Sequence, residues 1–322
     1  MGVATAATHR WIGALYTIRR ASQAPRPLRQ CLNGALSYVT VEVPEDFIVK
    51  MLTDLAEIFN NDALMETTVD RLLGRAGRLA YLVPSARPYV GMLWSAKSAA
   101  DRHHSEHGRR GGRRYPTSRF QHAAAWIYTL LRPPAGQEWL PLEHVVTANP
   151  VQINLDQAPA VEFDASPWGV GAVLRQGGSP VAYFMGKWTE QDAKIVGAPL
   201  GDPAGQTSWE YVTLFIALYV FASDHRGTGL AVLGDNVSSL NLALNLKGNR
   251  FLGKVSREIG WRRIRLAWRY ACGHLPSELN TTADALSRLH APGTAAKAFP
   301  AELTPARMIT PPAFDTLWTE GL

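Results

Sequence analysis

The sequence predicts an α/β fold: a mixed five-stranded sheet with flanking helices, preceded by a small, mainly helical domain. Three observations carry this. From Val161 to Gly186 the chain reads as three consecutive strands, an antiparallel meander with a Gly-Gly-Ser turn. A long apolar helix then leads to a buried strand, which makes a crossover and so a mixed sheet. Upstream, apolar residues recur at helical rather than alternating spacing.

With 322 residues, two domains are the expectation. Hydrophobic residues at 46% and charged residues at 19% describe a chain that builds a core rather than a disordered one. The longest strongly apolar run, Tyr211 to Ala222, falls short of the roughly 20 residues that span a bilayer. No signal-peptide stretch precedes it near the amino terminus. An intracellular protein without a membrane partner is expected, nucleus or cytoplasm left open. Cys31 and Cys272 make neither a disulfide framework nor a zinc spacing. The net charge is +6, and arginine outnumbers lysine by 26 to 7. Arginine suits a polyanionic partner, although a genomic base bias produces the same excess.

The first segment, residues 9–100, opens with HRWIGALYTI as one strand and YVTVEV (Tyr38 to Val43) as another. Pro44 starts a helix whose apolar face is Phe47, Ile48, Met51, Leu52, Leu55, Ile58 and Phe59. A second helix begins near Thr67 with Asp70 as its capping-box partner, buries Val69, Leu72, Leu73, Ala76, Ala80 and Val83, and ends at Pro84. A third starts near Pro88. Residues 101–119 carry six arginines, three histidines and three glycines, and read as a linker. It is either a solvated connection or a sequence-blind phosphate contact through Arg109, Arg110, Arg113 and Arg114. Residues 120–157 hold one apolar helix and a proline-containing loop, and residues 291–322 read as a loosely ordered tail.

Residues 158–290 carry the chemistry. VEFDA is a strand ending on Asp164, followed by WGVGAVLRQ and PVAYFMG. After a Pro/Gly-rich insertion from Lys187 to Gln206, TSWEYVTLFIALYVFASDH is a helix capped by Thr207 or Ser208, with Glu210 in its first turn. GLAVLGDN is a buried strand stopping on Asp235, two helices follow, and RLAWRYACGHLP is the fifth strand. NTTADALSRL closes the domain as a helix with Asp284 near its start. Asp164, Glu210, Asp235 and Asp284 thus stand at element ends, where an acid can face a crevice at the sheet edge. Four converging carboxylates repel one another unless cations are bound. Hard oxygen ligands select magnesium or manganese, and a pair of such ions suits phosphodiester hydrolysis. Alone, each acid has a plainer explanation: helix N-termini favour Glu210 and Asp284, and aspartate at a strand end is a turn former. Their ordered occurrence on one fold is harder to assign to chance.

FDASPWGVGAVL, the Trp209–Glu210 pair, LGDN and above all HLPSELNTTADALSRL resemble the ribonuclease H domain of retroelement reverse transcriptases, in its gypsy-type or DIRS-type form. The resemblance implies a ribonuclease H-like domain in which Asp164, Glu210, Asp235 and Asp284 hold two magnesium ions (manganese being possible) and cut the RNA strand of an RNA–DNA hybrid. It places His274 where many members carry a histidine that assists product release; a structural edge histidine is the plainer reading. Ala165, Ser166 and Gly169, beside Asp164, are expected near the hybrid's minor groove, Ser166 as a contact. Trp168 equally well packs. WIGALYTI, VTVEVPEDFIVKMLTDL and LLGRAGRLAYLVPSARPYVGMLW resemble the end of a polymerase palm and its thumb, and AAAWIYTLL the connection. A polymerase needs adjacent aspartates, and no two are adjacent anywhere in the chain. No polymerase activity is expected, and a separate polymerase-bearing polypeptide is left open as a partner. The alternative reading is a degenerate retroelement fragment that is inactive or only binds nucleic acid.

Overall fold

The computed structural model describes residues 8–11, 14–19, 38–107, 113–132, 143–147, 159–225, 229–248, 250–266 and 268–318. The chain divides between Pro150 and Val151 into two compact units.

In the first unit the ten residues read as one strand form two, β1 (Thr8–Trp11) and β2 (Ala14–Arg19), antiparallel with Trp11 opposite Ala14. β3 (Tyr38–Glu42) pairs with β2 and leads through Pro44 into α1 (Glu45–Asn60). Short β4 (Ala63–Met65) runs straight into α2 (Glu66–Leu82), and α3 (Arg87–His107) follows a single turn at Pro84. The apolar faces meet as expected: Met51, Leu55 and Ile58 of α1 and Val69, Leu72, Leu73 and Ala76 of α2 are buried, whereas Phe59 is exposed. The capping box expected at Thr67 is absent. The helix begins at Glu66 because the β4 pairing sets its entry, and Asp70 instead accepts from Lys97 at 3.1 Å.

The stretch read as a basic linker is structured where described. Residues 101–107 complete α3, and β5 (Arg114–Pro116) pairs with β4. Tyr115 supplies the missing apolar anchor: it is fully buried and its hydroxyl donates to Asp101 at 2.6 Å. α4 (Gln121–Leu131) packs Trp126 against Tyr89, and β6 (Glu143–Thr147) pairs with β3. No helix among the described residues is long and apolar enough to cross a membrane.

The second unit is α/β, a mixed sheet with helices on it. β7 (Ala160–Ser166), β8 (Gly169–Gln176) and β9 (Ser179–Lys187) form the expected meander. The insertion is built rather than loose: α5 (Glu190–Val196) starts with a Thr189–Asp192 capping box, and Trp188 before it packs at a tilt against Trp209. α6 (Gln206–Phe221) begins a little before the expected cap, behind Gly205 and without a side-chain cap. It is apolar nearly all round and buried accordingly. β10 (Leu230–Gly234) lies parallel to β7, with α7 (Val237–Asn245) and α8 (Arg250–Arg265) after it. β11 (Tyr270–His274) is parallel to β10, and α9 (Thr281–Ser287) crosses back over the meander.

The sheet has six strands, not five. β12 (Arg307–Met308) joins β9, giving the order β11-β10-β7-β8-β9-β12. The supposed tail is therefore part of the fold: Leu303 and Leu317 are buried, and Glu302 pairs with Arg175 at 2.9 Å. A two-residue strand has no period to read in the sequence.

Candidate functional site

Asp164 leaves the carboxyl half of β7, and Asp235 follows β10, its parallel neighbour. Parallel pairing brings both strands to the same edge of the sheet, so the two acids meet there. Glu210 reaches the same place from α6, and Asp284 from α9. All four line one crevice of about 520 Å³.

Glycines allow α9 to lie this close. A Cβ on Gly171 would stand 2.5 Å from Leu286 Cβ and 2.7 Å from the Ala283 carbonyl. One on Gly169 would stand 2.7 Å from the Ser287 carbonyl. With this approach the Ser287 hydroxyl donates to Asp164 Oδ2 at 2.5 Å.

Asp164, Glu210 and Asp235 each offer an oxygen within 4.8 Å of the others. Oxygens bound to one divalent ion at about 2.0–2.6 Å lie no more than about 5 Å apart, so the triad fits such an ion. Glu210 is 2% exposed; its Oε1 accepts from Gln206 at 2.9 Å and from the Ala165 amide at 3.4 Å, while Oε2 is buried with no partner. A buried carboxylate oxygen left unpaired is costly unless a proton or a cation serves it. Burial, with Asp164 and Asp235 adding to it, pushes the Glu210 carboxyl well above its usual range. Burial likewise pushes Asp164 up to about 7, against the Ser287 hydrogen bond and with help from Asp284 and Asp235. Asp235 is partly exposed and accepts from the Ser277 hydroxyl at 2.6 Å.

Asp284 stands apart from the triad. Burial would raise its carboxyl, but hydrogen bonds from Lys297 and Arg288 outweigh that and hold it below the usual range. Arg288 Nε lies 2.6 Å from Oδ1, and Lys297 Nζ donates to Oδ2.

Of the remaining expected residues, Ala165 lines the crevice; the others fall elsewhere or outside the described residues. His274 is exposed at the end of β11, opposite Gly234, and does not line the crevice. Ser166 is fully buried: its hydroxyl donates to the Ser287 carbonyl at 2.7 Å and accepts from the Trp168 and Gly169 amides. It closes the β7–β8 turn and has no surface for a ligand, and Ala165 and Gly169 beside it are buried too. Arg113 approaches Glu66 and Asp101 at 3.6 and 3.8 Å, and Arg114 is exposed on β5. Arg109 and Arg110 lie outside the described residues.

Five supporting residues escaped the sequence reading. Gln206, Ser287 and Arg288 had a usable signal, lying one helical turn from Glu210 or from Asp284. Ser277 and Lys297 had none, because chain folding alone brings them to the acids.

No protein-family model and no curated protein matches the chain. Among solved structures, RNase H1 from the halophilic archaeon Halobacterium salinarum NRC-1 is 24% identical, with 40% of this chain and 93% of that one covered and a TM-score of 0.30. The foamy viral protease-reverse transcriptase dRH in complex with double-stranded DNA is 17% identical over 77% of this chain, TM-score 0.24. The foamy viral protease-reverse transcriptase with double-stranded DNA is 15% identical over 67% of this chain, also at 0.24. The chain spans 38% and 39% of the length of those two viral chains.

Proposed function

We propose that the second unit is a ribonuclease H-like nuclease that uses a divalent cation to hydrolyse the RNA strand of RNA–DNA hybrids. The observation that carries this is the triad, three carboxylates within 4.8 Å of one another with a buried, unpartnered oxygen on Glu210. The hybrid as substrate rests on the motif resemblance, in particular His-Leu-Pro followed by Asn-x-x-Ala-Asp-Ala-Leu-Ser-Arg. Asp164, Glu210 and Asp235 would hold magnesium or manganese, with Asp284 as the fourth acid. When bound, such ions supply activation of an attacking water and stabilisation of the leaving oxygen.

The chain's own groups prepare that chemistry. Gln206 spans Glu210 Oε1 and the Ala165 carbonyl, fixing the helix-borne acid against the strand that carries Asp164. Ser287 and Ser277 each donate to one acid, orienting Asp164 and Asp235 while leaving further lone pairs for a cation. A second reading, nucleic-acid binding without cleavage, has one observation in its favour: Asp284 is already engaged by Lys297 and Arg288.

The test is cleavage of labelled RNA–DNA, RNA–RNA and DNA–DNA duplexes of one sequence, with magnesium and with chelator. We expect the RNA of the hybrid alone to be cut, magnesium or manganese to be required, and Asp164→Asn to abolish the reaction. Only RNA offers the 2′-hydroxyl that distinguishes the strand. Equal cutting of DNA–DNA would point to a general nuclease, and binding without cutting would favour the second reading.

A further inference from the structure

Both carboxylate oxygens of Asp284 are engaged by cations of the chain itself. Arg288 comes from one turn further along, at the end of α9. Lys297 comes from the segment after it, which has no regular period in sequence and crosses the crevice rim only because of how it is tied down. Before Lys297 the chain turns at Gly293–Ala295, and the Lys297 amide donates to the Arg288 carbonyl at 3.4 Å. Beyond it Phe299 packs edge-on against Tyr183 with ring centres 5.6 Å apart, Leu303 is buried, and Glu302 bridges to Arg175. The backbone is thus pinned on both sides of Lys297, while its side chain stays 49% exposed. A lysine held this way keeps its ammonium at Asp284 yet has a flexible stem and open solvent into which to withdraw.

The crevice is otherwise acidic, with Glu278 joining the four carboxylates in its lining. An ammonium at Asp284 supplies part of the positive charge that such a lining demands. It also repels a divalent ion brought to the same carboxylate.

We propose that Lys297 is a built-in counter-cation: it occupies the Asp284 side of the crevice, so one divalent ion binds at Asp164, Glu210 and Asp235, and a second enters only by displacing the Lys297 ammonium. This rests on the divalent-cation reading of the crevice but not on its catalysing cleavage.

The test is manganese binding to the full, chelator-treated chain, followed by titration calorimetry and by loss of the free-manganese electron paramagnetic resonance signal. Lys297→Met keeps the side chain's length without its charge, Lys297→Gln is a second neutral variant, and Lys297→Arg keeps the charge. The wild type should bind one ion, and a second at least ten-fold more weakly. Both neutral variants should tighten the second ion at least ten-fold, and Lys297→Arg should behave as wild type. The proposal is overturned by a wild type that binds two ions equally tightly, by neutral variants with wild-type binding, or by a chain that binds no manganese. Hybrid cleavage separates the two ideas. Loss of cleavage with this binding pattern intact overturns the nuclease reading alone. Cleavage with an unaltered second ion in the neutral variants overturns the lysine proposal alone.

Discussion

At the residue scale, burial decides how Asp164 and Glu210 behave before any cation arrives. The Asp164 carboxyl is pushed up to about 7 in the fold, against about 3.9 in an unfolded chain. The folded state therefore holds the proton more tightly. Its contribution to stability is fully present below about pH 4 and is lost as the pH rises through about 7. In chelator, the wild type should melt at a higher temperature at about pH 5 than at about pH 8. Asp164→Asn should lose part of that difference, Glu210 supplying the rest, and melt above wild type at the higher pH, as calorimetry can show; identical profiles for the two proteins would refute the assignment. Gln206 offers a separate check, because it holds Glu210 without being a carboxylate itself. Gln206→Ala should lower metal affinity or hydrolysis by about 10–100-fold, the usual cost of losing a ligand's supporting partner. Unchanged manganese binding and cleavage would mean that Glu210 needs no such support.

Among the elements, α9 matters beyond its seven residues, because it brings Asp284 and Ser287 onto the meander at once. Gly171 is what allows it. Gly171→Ala forces Leu286 and the Ala283 carbonyl outward, with an expected cost of about 1–3 kcal/mol, the range for overpacking a filled core. Denaturant unfolding should record that loss, and the Ser287–Asp164 hydrogen bond should weaken with it; a variant as stable as wild type would show that α9 is not clamped here. The same elements show which periods a sequence reveals. α1 and α2 were legible because their apolar residues recur every three to four positions and are buried as that spacing demands. The start of α2 fell within one residue of the expected place, but its capping was not legible, because β4 pairing rather than a capping side chain precedes it. β12 was invisible, since it is defined by β9 beside it and not by its own two residues.

For the whole molecule, the +6 charge sets the terms on which a polyanion is met. Affinity for a hybrid should fall steeply with salt, because each neutralised phosphate releases counterions whatever the base sequence. Replacing Arg109, Arg110, Arg113 and Arg114 together by alanine should flatten the salt slope if the stretch touches phosphates. Arg113 has acidic neighbours in Glu66 and Asp101, so its share should be the smaller of the two described. An unchanged slope in the quadruple variant would leave the stretch a structural one, as its β5 pairing already makes part of it.

The sequence alone determined a mixed α/β sheet with flanking helices, and that Asp164, Glu210, Asp235 and Asp284 stand at the ends or starts of successive elements. Alternation, helical spacing and strand-end acids are local properties, and local properties are written in order along the chain. Only the tertiary structure decided which acids form one cluster. Asp164 and Asp235 are brought together by the parallel pairing of β7 with β10, and Glu210 by the burial of α6. Asp284 lines the same crevice but has its carboxylate paired with Arg288, just past the end of its own helix, and with Lys297 from a segment that reads as tail. The same packing withdrew Ser166 into the core, though it stands two residues from Asp164. Distances between charges and the exclusion of water from them depend on residues far apart in sequence, and no local pattern encodes either.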